Sequence, residues 1–348
     1  LGFENAGFEI VAAFDHDARH VATHKKNFPL CKTFQADAAK TTGTLVRKKA
    51  SLGEREIDVL IGGPPCQGFS VGGSKDQNDP RNSLILEFAR LVAELKPRSF
   101  VMENVVGILG AGHRQLMTRF ASIIADAGYD AEHQGTALNA TNLGVPQRRK
   151  RIFIIGVKSN LQLPSVPTEC TLTTPTVWNA IGDLSVIEDC EELYSEDAFR
   201  GALGTPSDYA KTLRSRPSKD ETGDRAAAMG KGLGGCAKTR HSRSVTERFK
   251  NTDPGERESI SRFFRLDKQG VAPTLRAGTT AQNGSFMAPR PIHPVSPRVI
   301  TVREAARLHS FPDWFAFDRT RWYGFMQVGN SVPPLVARHV AEALKTSL

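Results

Sequence analysis

Short apolar runs alternate along the first half of the chain with stretches whose apolar positions recur every three or four residues. Phe8–Phe14 (FEIVAAF) is largely apolar and predicts a buried strand. Asp15 and Asp17 follow it, then a helical stretch to Asn27. Ile57–Ile61 (IDVLI) predicts a second strand, running into Gly62-Gly-Pro-Pro-Cys66. Leu84, Leu86, Phe88, Leu91, Val92 and Leu95 mark one face of a helix over Ser83–Leu95, stopped by Pro97. Ser99–Met102 reads as a strand ending at Glu103, Gln115–Ala127 as a helix stopped by Gly128, and Arg151–Val157 as a further strand. This alternation predicts a mainly parallel α/β sheet. Functional sites in such sheets gather at the carboxyl ends of strands, where Asp15, Cys66 and Glu103 fall.

From about residue 160 to 297 the texture changes. Pro, Gly, Ser and Thr are frequent and periodicity is weak, which predicts a smaller second domain of loops and short elements. Regular pattern returns at Thr301–Ser310 and in an amphipathic helix over Pro333–Leu344. Residues 211–265 hold 14 Lys/Arg against 7 Asp/Glu, so most of the net charge of +9 lies in this stretch. Such a surplus points to a polyanionic partner.

The remaining composition mainly excludes. With 39% hydrophobic and 24% charged residues, the 348-residue chain falls in the range of globular domains. No run approaches the ~18 apolar residues of a membrane span. The five cysteines (31, 66, 170, 190 and 236) are odd in number and form no Cys-x-x-Cys pair. That argues against a disulfide framework or a zinc site, and for a reducing, cytoplasmic setting without a metal.

The sharpest chemical signal is Gly62-Gly-Pro-Pro-Cys-Gln-Gly-Phe-Ser70. A cysteine in a turn stiffened by two prolines, at the carboxyl end of a strand, is placed as a nucleophile needs to be. This segment resembles the nucleophile motif of DNA (cytosine-5) methyltransferases of the bacterial restriction–modification type. Five further segments resemble that family in its own order. They are Asp79-Pro-Arg-Asn-Ser-Leu84, Met102-Glu-Asn-Val105, Asn142-Leu-Gly-Val-Pro-Gln-Arg-Arg-Lys-Arg151, Arg298–Phe311, and Gly329-Asn-Ser-Val-Pro-Pro334.

The resemblance implies an α/β fold: a Rossmann-like S-adenosylmethionine-dependent methyltransferase sheet with a smaller, loop-rich target-recognition domain. It divides the chain into a catalytic domain (1–176), a target-recognition domain (177–297), a hinge with the late motif (298–328) and a helix returning to the catalytic domain (329–348). Cys66 would attack carbon 6 of a flipped-out cytosine in duplex DNA, making carbon 5 nucleophilic. Glu103 would bind ring nitrogen 3 and the exocyclic amine, and Arg151 the oxygen on carbon 2. Arg149 joins this catalytic set, on the loop and phosphate side. The cofactor would be S-adenosylmethionine, held by Asp15, His16, Asp37, Pro65, Leu84, Asn330 and Val332. His16 stands where the family often has an aromatic residue, and Asp15 and Asp37 read equally well as helix N-caps. Asp17 reads as an N-cap only. Gln67 and Ser70, in a loop closing over the flipped base, would face DNA, as would Arg240, Arg243 and Arg276, with His241 and Thr279 as weaker candidates. The implied protein is a cytoplasmic, nucleoid-associated monomer without membrane contact, partnered by a separately encoded restriction endonuclease.

The family's first motif, a strand and a Phe-x-Gly-x-Gly-Gly turn, has no counterpart before Leu1-Gly-Phe-Glu-Asn-Ala-Gly7. At about 3.3 Å per strand residue, that strand and its turn correspond to roughly 15–20 residues upstream. Weak cofactor binding by this chain is therefore expected. Two other readings stay open: a tRNA cytosine-5 methyltransferase of the same fold, and a catalytically dead DNA-binding relative.

Overall fold

The computed structural model describes residues 1–65, 83–132, 134–170, 173–215, 232–278 and 290–348. The chain divides into two compact units. The first, the sheet unit, comprises Ala6–Asn139, Lys150–Glu169 and Arg338–Leu348; the second comprises Leu1–Asn5, Ala140–Arg149 and Cys170–Ala337. The late motif, the final motif and the loop before Lys150 thus cluster with residues 177–297, not with the sheet.

Within the sheet unit, the helix Ser83–Leu95 forms where its apolar spacing predicts it. Ile85, Phe88, Ala89 and Val92 pack on Phe100 and Met102, together with Phe120 and Ile124 of the helix Arg114–Asp126. Phe100 lies at the centre, with the rings of Phe88, Phe120 and Tyr129 presented edge-on at 5.8–6.2 Å. Each such side chain contributes about 1.5–3 kcal/mol when fully buried. Leu91 and Leu95 turn to a second cluster, with Val46, Phe14, Phe34 and Leu60.

The strands are β1 (Ala12–Asp15), β2 (Lys32–Gln35), β3 (Val59–Gly62), β4 (Ser99–Asn104), β5 (Tyr129–Ala131), β6 (Thr136–Asn139) and β7 (Lys150–Lys158). β1 and β2 form a parallel pair, with Asp15 opposite Gln35. The larger sheet has the order β3-β4-β7-β5, with β6 also on β7. β3 and β4 are parallel, but β7 runs antiparallel to β4, β5 and β6. The sheet is therefore mixed rather than mainly parallel. β5, β6 and β7 follow one another without an intervening crossover helix, and such short connections favour antiparallel pairing. Among the described residues β3 is paired on one side only, and Ile61 on it is 46% exposed.

Among its described residues the second unit has little regular sheet, and buried arginines hold its loops. The helix Val302–Leu308 starts with a capping box between Thr301 and Glu304. Arg303 donates to the carbonyls of Gly234, Pro312 and Phe315. Arg307, fully buried, pairs with Asp183 at 2.5 Å and Asp313 at 2.6 Å. Arg298 bridges Glu188 and Glu304. A planar guanidinium with five donors can tie several loop carbonyls and carboxylates at once, which suits a unit whose described residues are mostly loops and short helices.

Candidate active site

The carboxyl ends of β3 and β4 lie side by side, with Gly62 opposite Met102. Because β7 runs the other way, its first residues come to the same end of the sheet. Glu103 pairs in register with Phe153, so Arg151, two residues away on the same face, is its diagonal neighbour. The Arg151 Nε lies 3.0 Å from Glu103 Oε1, and both side chains are 17% exposed.

The turn after β3 is built against this pair. A Cβ on Gly62 would stand 2.5 Å from the Phe88 ring, and one on Gly63 would stand 3.3 Å from Glu103 Oε2. The two glycines thus let the chain pass between a core ring and a carboxylate. Pro64 then accepts a hydrogen bond from the Asn104 side-chain amide at 3.1 Å, and Asn104 Oδ1 accepts from the Val105 N–H at 2.9 Å. This accounts for Asn104 in the Glu-Asn-Val segment: it ties the end of β4 to the Pro-Pro turn. Cys66, Gln67 and Ser70 lie outside the described residues, as does the rest of the loop expected to close over the base.

At the ends of β1 and β2 stands a separate group. Asp15 accepts from the Asp17 N–H at 2.8 Å, and its oxygens lie 3.3 Å from His16 Nδ1 and 3.4 Å from His20 Nδ1. Burial opposes ionisation of Asp15, but the bonds from His20 and the Asp17 amide, with the two imidazoles, hold its pKa below the ordinary value. The same bond raises His20, against its burial. Sequence reasoning missed His20; its signal was a histidine one helical turn past the strand-end acid. Asp17 caps the helix Ala18–Asn27, as expected. Asp37 caps the short turn Ala38–Lys40 by accepting from Ala39 N–H at 3.0 Å. His16 is 81% exposed, Pro65 is exposed and Leu84 is half-buried on the first turn of its helix.

The other expected residues belong to the second unit. Asn330, exposed, ends the helix Arg321–Asn330, and Val332 follows it half-buried. Arg149 is 2% exposed and donates to the carbonyls of Leu275, Gly329 and Ser331 at 2.9–3.1 Å. In this geometry it clasps the backbone of three loops and so positions them. Gly329 is required there, because a Cβ would overlap the Ala277 backbone nitrogen. Gln147 and His309, which sequence reasoning did not single out, complete the clasp. Gln147 Nε2 lies 2.8 Å from His309 Nδ1, Gln147 Oε1 accepts from Leu275 N–H, and His309 Nε2 lies 3.0 Å from the Ser331 carbonyl.

Arg240 stacks on Tyr194 and remains largely exposed, 3.9 Å from Glu191. Arg243 opens the helix Arg243–Lys250, and Arg276 is exposed beside Leu275. His241 is occupied structurally: its Nε2 accepts from the Val299 N–H, its ring meets Phe249 edge-on, and burial lowers its pKa. Thr279 lies outside the described residues. Cys31 and Cys236 are buried, and burial pushes the Cys236 thiol up to about 12. Glu188, His293 and Glu304 are close enough to chelate an ion, but the Arg298 guanidinium bridges the two carboxylates. His293 Nδ1 accepts from the Val295 and Ser296 N–H groups.

Residues 1–346 match the family profile of C-5 cytosine-specific DNA methylases. The chain belongs to this family. It is 45% identical, over its whole length and 82% of the relative's, to the Type II methyltransferase M.XorII of Xanthomonas oryzae pv. oryzae. It is 32% identical to the Type II methyltransferase M.DdeI of Desulfomicrobium norvegicum, over 99% of this chain and 85% of that one. Among solved structures it resembles a candidate DNA modification methyltransferase encoded within an E. coli prophage, with TM-score 0.84 and 33% identity over 99% of this chain and 94% of that one. The protein is thus a DNA (cytosine-5) methyltransferase of the restriction–modification type, with the fold expected of it, and it acts on DNA. Among the described residues no helix is long and apolar enough to cross a membrane.

Proposed function

We propose that this DNA methyltransferase modifies carbon 5 of a cytosine flipped out of a specific duplex sequence, through a covalent bond between Cys66 and carbon 6. The observation that carries this reading is the assembly at the ends of β3 and β4: the Gly-Gly-Pro-Pro turn leading to Cys66, tied by Asn104 and adjoining the Glu103–Arg151 pair. A base inside a duplex is out of reach of such a site, so it must leave the stack. Attack by the Cys66 thiolate on carbon 6 drives electron density toward ring nitrogen 3 and leaves carbon 5 nucleophilic. Glu103 would hold nitrogen 3 and the exocyclic amine and stabilise charge building there, while Arg151 would orient Glu103 and bind the oxygen on carbon 2. After methylation, water takes the carbon-5 proton, and the electrons of that C–H bond restore the carbon 5–carbon 6 double bond as the carbon–sulfur bond breaks and the thiolate leaves.

The donor set fits S-adenosylmethionine. Asp15 and Asp37 offer carboxylates at or just beyond the ends of adjacent strands, the Asp15 side chain 40% exposed and Asp37 exposed, and His16 offers an exposed ring for stacking. Pro65, Leu84, Asn330 and Val332 complete the proposed set. When bound, the cofactor supplies the methyl group. The protein is proposed to act as a cytoplasmic monomer associated with the nucleoid, beside a separately encoded endonuclease.

Incubation with 5-fluorocytosine duplex and S-adenosylmethionine tests the reading. A denaturation-resistant adduct is expected from the native sequence and none from Cys66→Ala. Methylation that survives Cys66→Ala would overturn it. Bisulfite sequencing of DNA from expressing cells would report the target sequence.

A further inference from the structure

A cleft of about 380 Å³ in the second unit is lined by Arg148, Arg257, Arg262, Glu256 and Phe264. Three guanidinium groups face it against one carboxylate. Among the described residues none of the three arginines forms an ion pair within 4.0 Å. Arg148 comes from a distant part of the chain, its N–H bonded to the Ala272 carbonyl and its carbonyl to the Thr274 hydroxyl. Arg257 lies over the Phe264 ring, 6.0 Å from its centroid, and donates to the Arg262 carbonyl.

The cleft wall is a stiff hairpin. Gly255 and Glu256 bond to Arg265, and Glu258 bonds to Phe263 and Arg262. The buried Glu258 carboxylate organises the tip by accepting from Ile260 N–H, Ser261 N–H, the Ser259 hydroxyl and Arg248 Nε. Arg265 braces the base by donating to the carbonyls of Phe249, Lys250 and Thr252. Ile260 at the tip is 70% exposed, the most exposed large apolar side chain among the described residues.

We propose that this hairpin docks on DNA, with a backbone phosphate seated among Arg148, Arg257 and Arg262 and Ile260 in apolar contact with a base edge. Unpaired guanidiniums converging on a concavity match a phosphodiester, since Arg forks suit phosphate oxygens. An apolar side chain between them cannot share that ligand, but it fits a groove where thymine methyls lie. The tip is held before binding, so docking costs little ordering entropy. The proposal rests on the DNA substrate reading and adds the place and residues of contact.

The test is duplex binding by fluorescence anisotropy between 50 and 200 mM salt, at about the range where counterion release dominates. Arg148→Gln/Arg262→Gln should flatten the log–log salt slope by about 0.9 for each phosphate no longer neutralised, with about tenfold weaker binding at 100 mM. Single Arg148→Gln, at an exposed side chain, guards against misfolding of the pair and should flatten the slope by about half as much. Ile260→Ser should weaken binding severalfold at unchanged slope. A wild-type slope in both arginine variants overturns the phosphate seat, and wild-type affinity in Ile260→Ser overturns the tip contact. Loss of inorganic phosphate binding in the arginine variants at wild-type DNA affinity would make the site a free-anion site and overturn DNA docking. Failure of the substrate reading would look different: the native protein itself would not methylate duplex DNA.

Discussion

Asn104 donates its amide to the Pro64 carbonyl at 3.1 Å, and Cys66 follows Pro64 by two residues. The residue after the glutamate therefore holds the Pro-Pro turn that leads to the proposed nucleophile. Asn104→Ala removes this tie, and a misplaced nucleophile can lose about 100-fold in rate. A fall in kcat of that order is expected with little change in KM for DNA. Steady-state methyl incorporation checks it, and an unaltered kcat would reject the role.

The two glycines before Pro64 should fail differently. Gly62→Ala drives a methyl into the Phe88 ring, overpacking the core by about 1–3 kcal/mol. Gly63→Ala meets Glu103 Oε2 instead, at a distance a side chain can yield to. Melting temperature should drop more for Gly62→Ala, while Gly63→Ala should lose methylation out of proportion to its stability. Thermal melts beside activity assays of both variants decide this.

Arg149→Ala would leave the carbonyls of Leu275, Gly329 and Ser331 without their shared donor. An unsatisfied buried polar group costs about 1–3 kcal/mol, so a loss of about 3 kcal/mol or more is expected. Arg149→Lys should recover only part, because an ammonium cannot reproduce the fork. Urea unfolding gives the totals. Hydrogen exchange should show faster opening at Ala277 and Ser331 in both variants.

Acid should loosen the second unit through two buried carboxylates. Burial opposes ionisation of Glu304, but Arg298 and His293 outweigh it and bring its pKa to about 2. Glu258 is also brought to about 2, where the Ser261 and Ile260 donors and Arg248 outweigh burial. Both folded-state values lie below the ordinary 4.5, so their stabilisation is complete above that pH and is lost as pH falls toward 2. Glu304→Gln should remove much of this slope in denaturation measured from about pH 5 to about pH 2.5.

The helix Ser83–Leu95 and the strand leading to Glu103 were legible because each has one clean period and a clear stop. The direction of β7 was not, since an apolar run reads alike in either direction and only its connections orient it. Glu103 and Arg151 could be named from their motifs, but their pairing depends on that direction. The carbonyls that Arg149 grips were not legible, because a basic triple looks alike whether it faces a ligand or a carbonyl. The buried ties of the arginines at 298, 303 and 307 were not legible; burial among carbonyls leaves no trace in periodicity, although the Thr301-x-x-Glu304 capping box marks where the helix begins.

The chain crosses between its two units five times, and the short return through Ala140–Arg149 carries both Gln147 and Arg149. This governs how such enzymes can be recombined. A chimera that exchanged residues 177–297 alone would import a foreign Leu275 while keeping the native partners that grip it. The compact piece is discontinuous: the ten residues before Lys150 travel with residues 177–297, together with the helices through Ala337. Lineages that trade target specificity must therefore move these stretches in concert or readapt the seam between them.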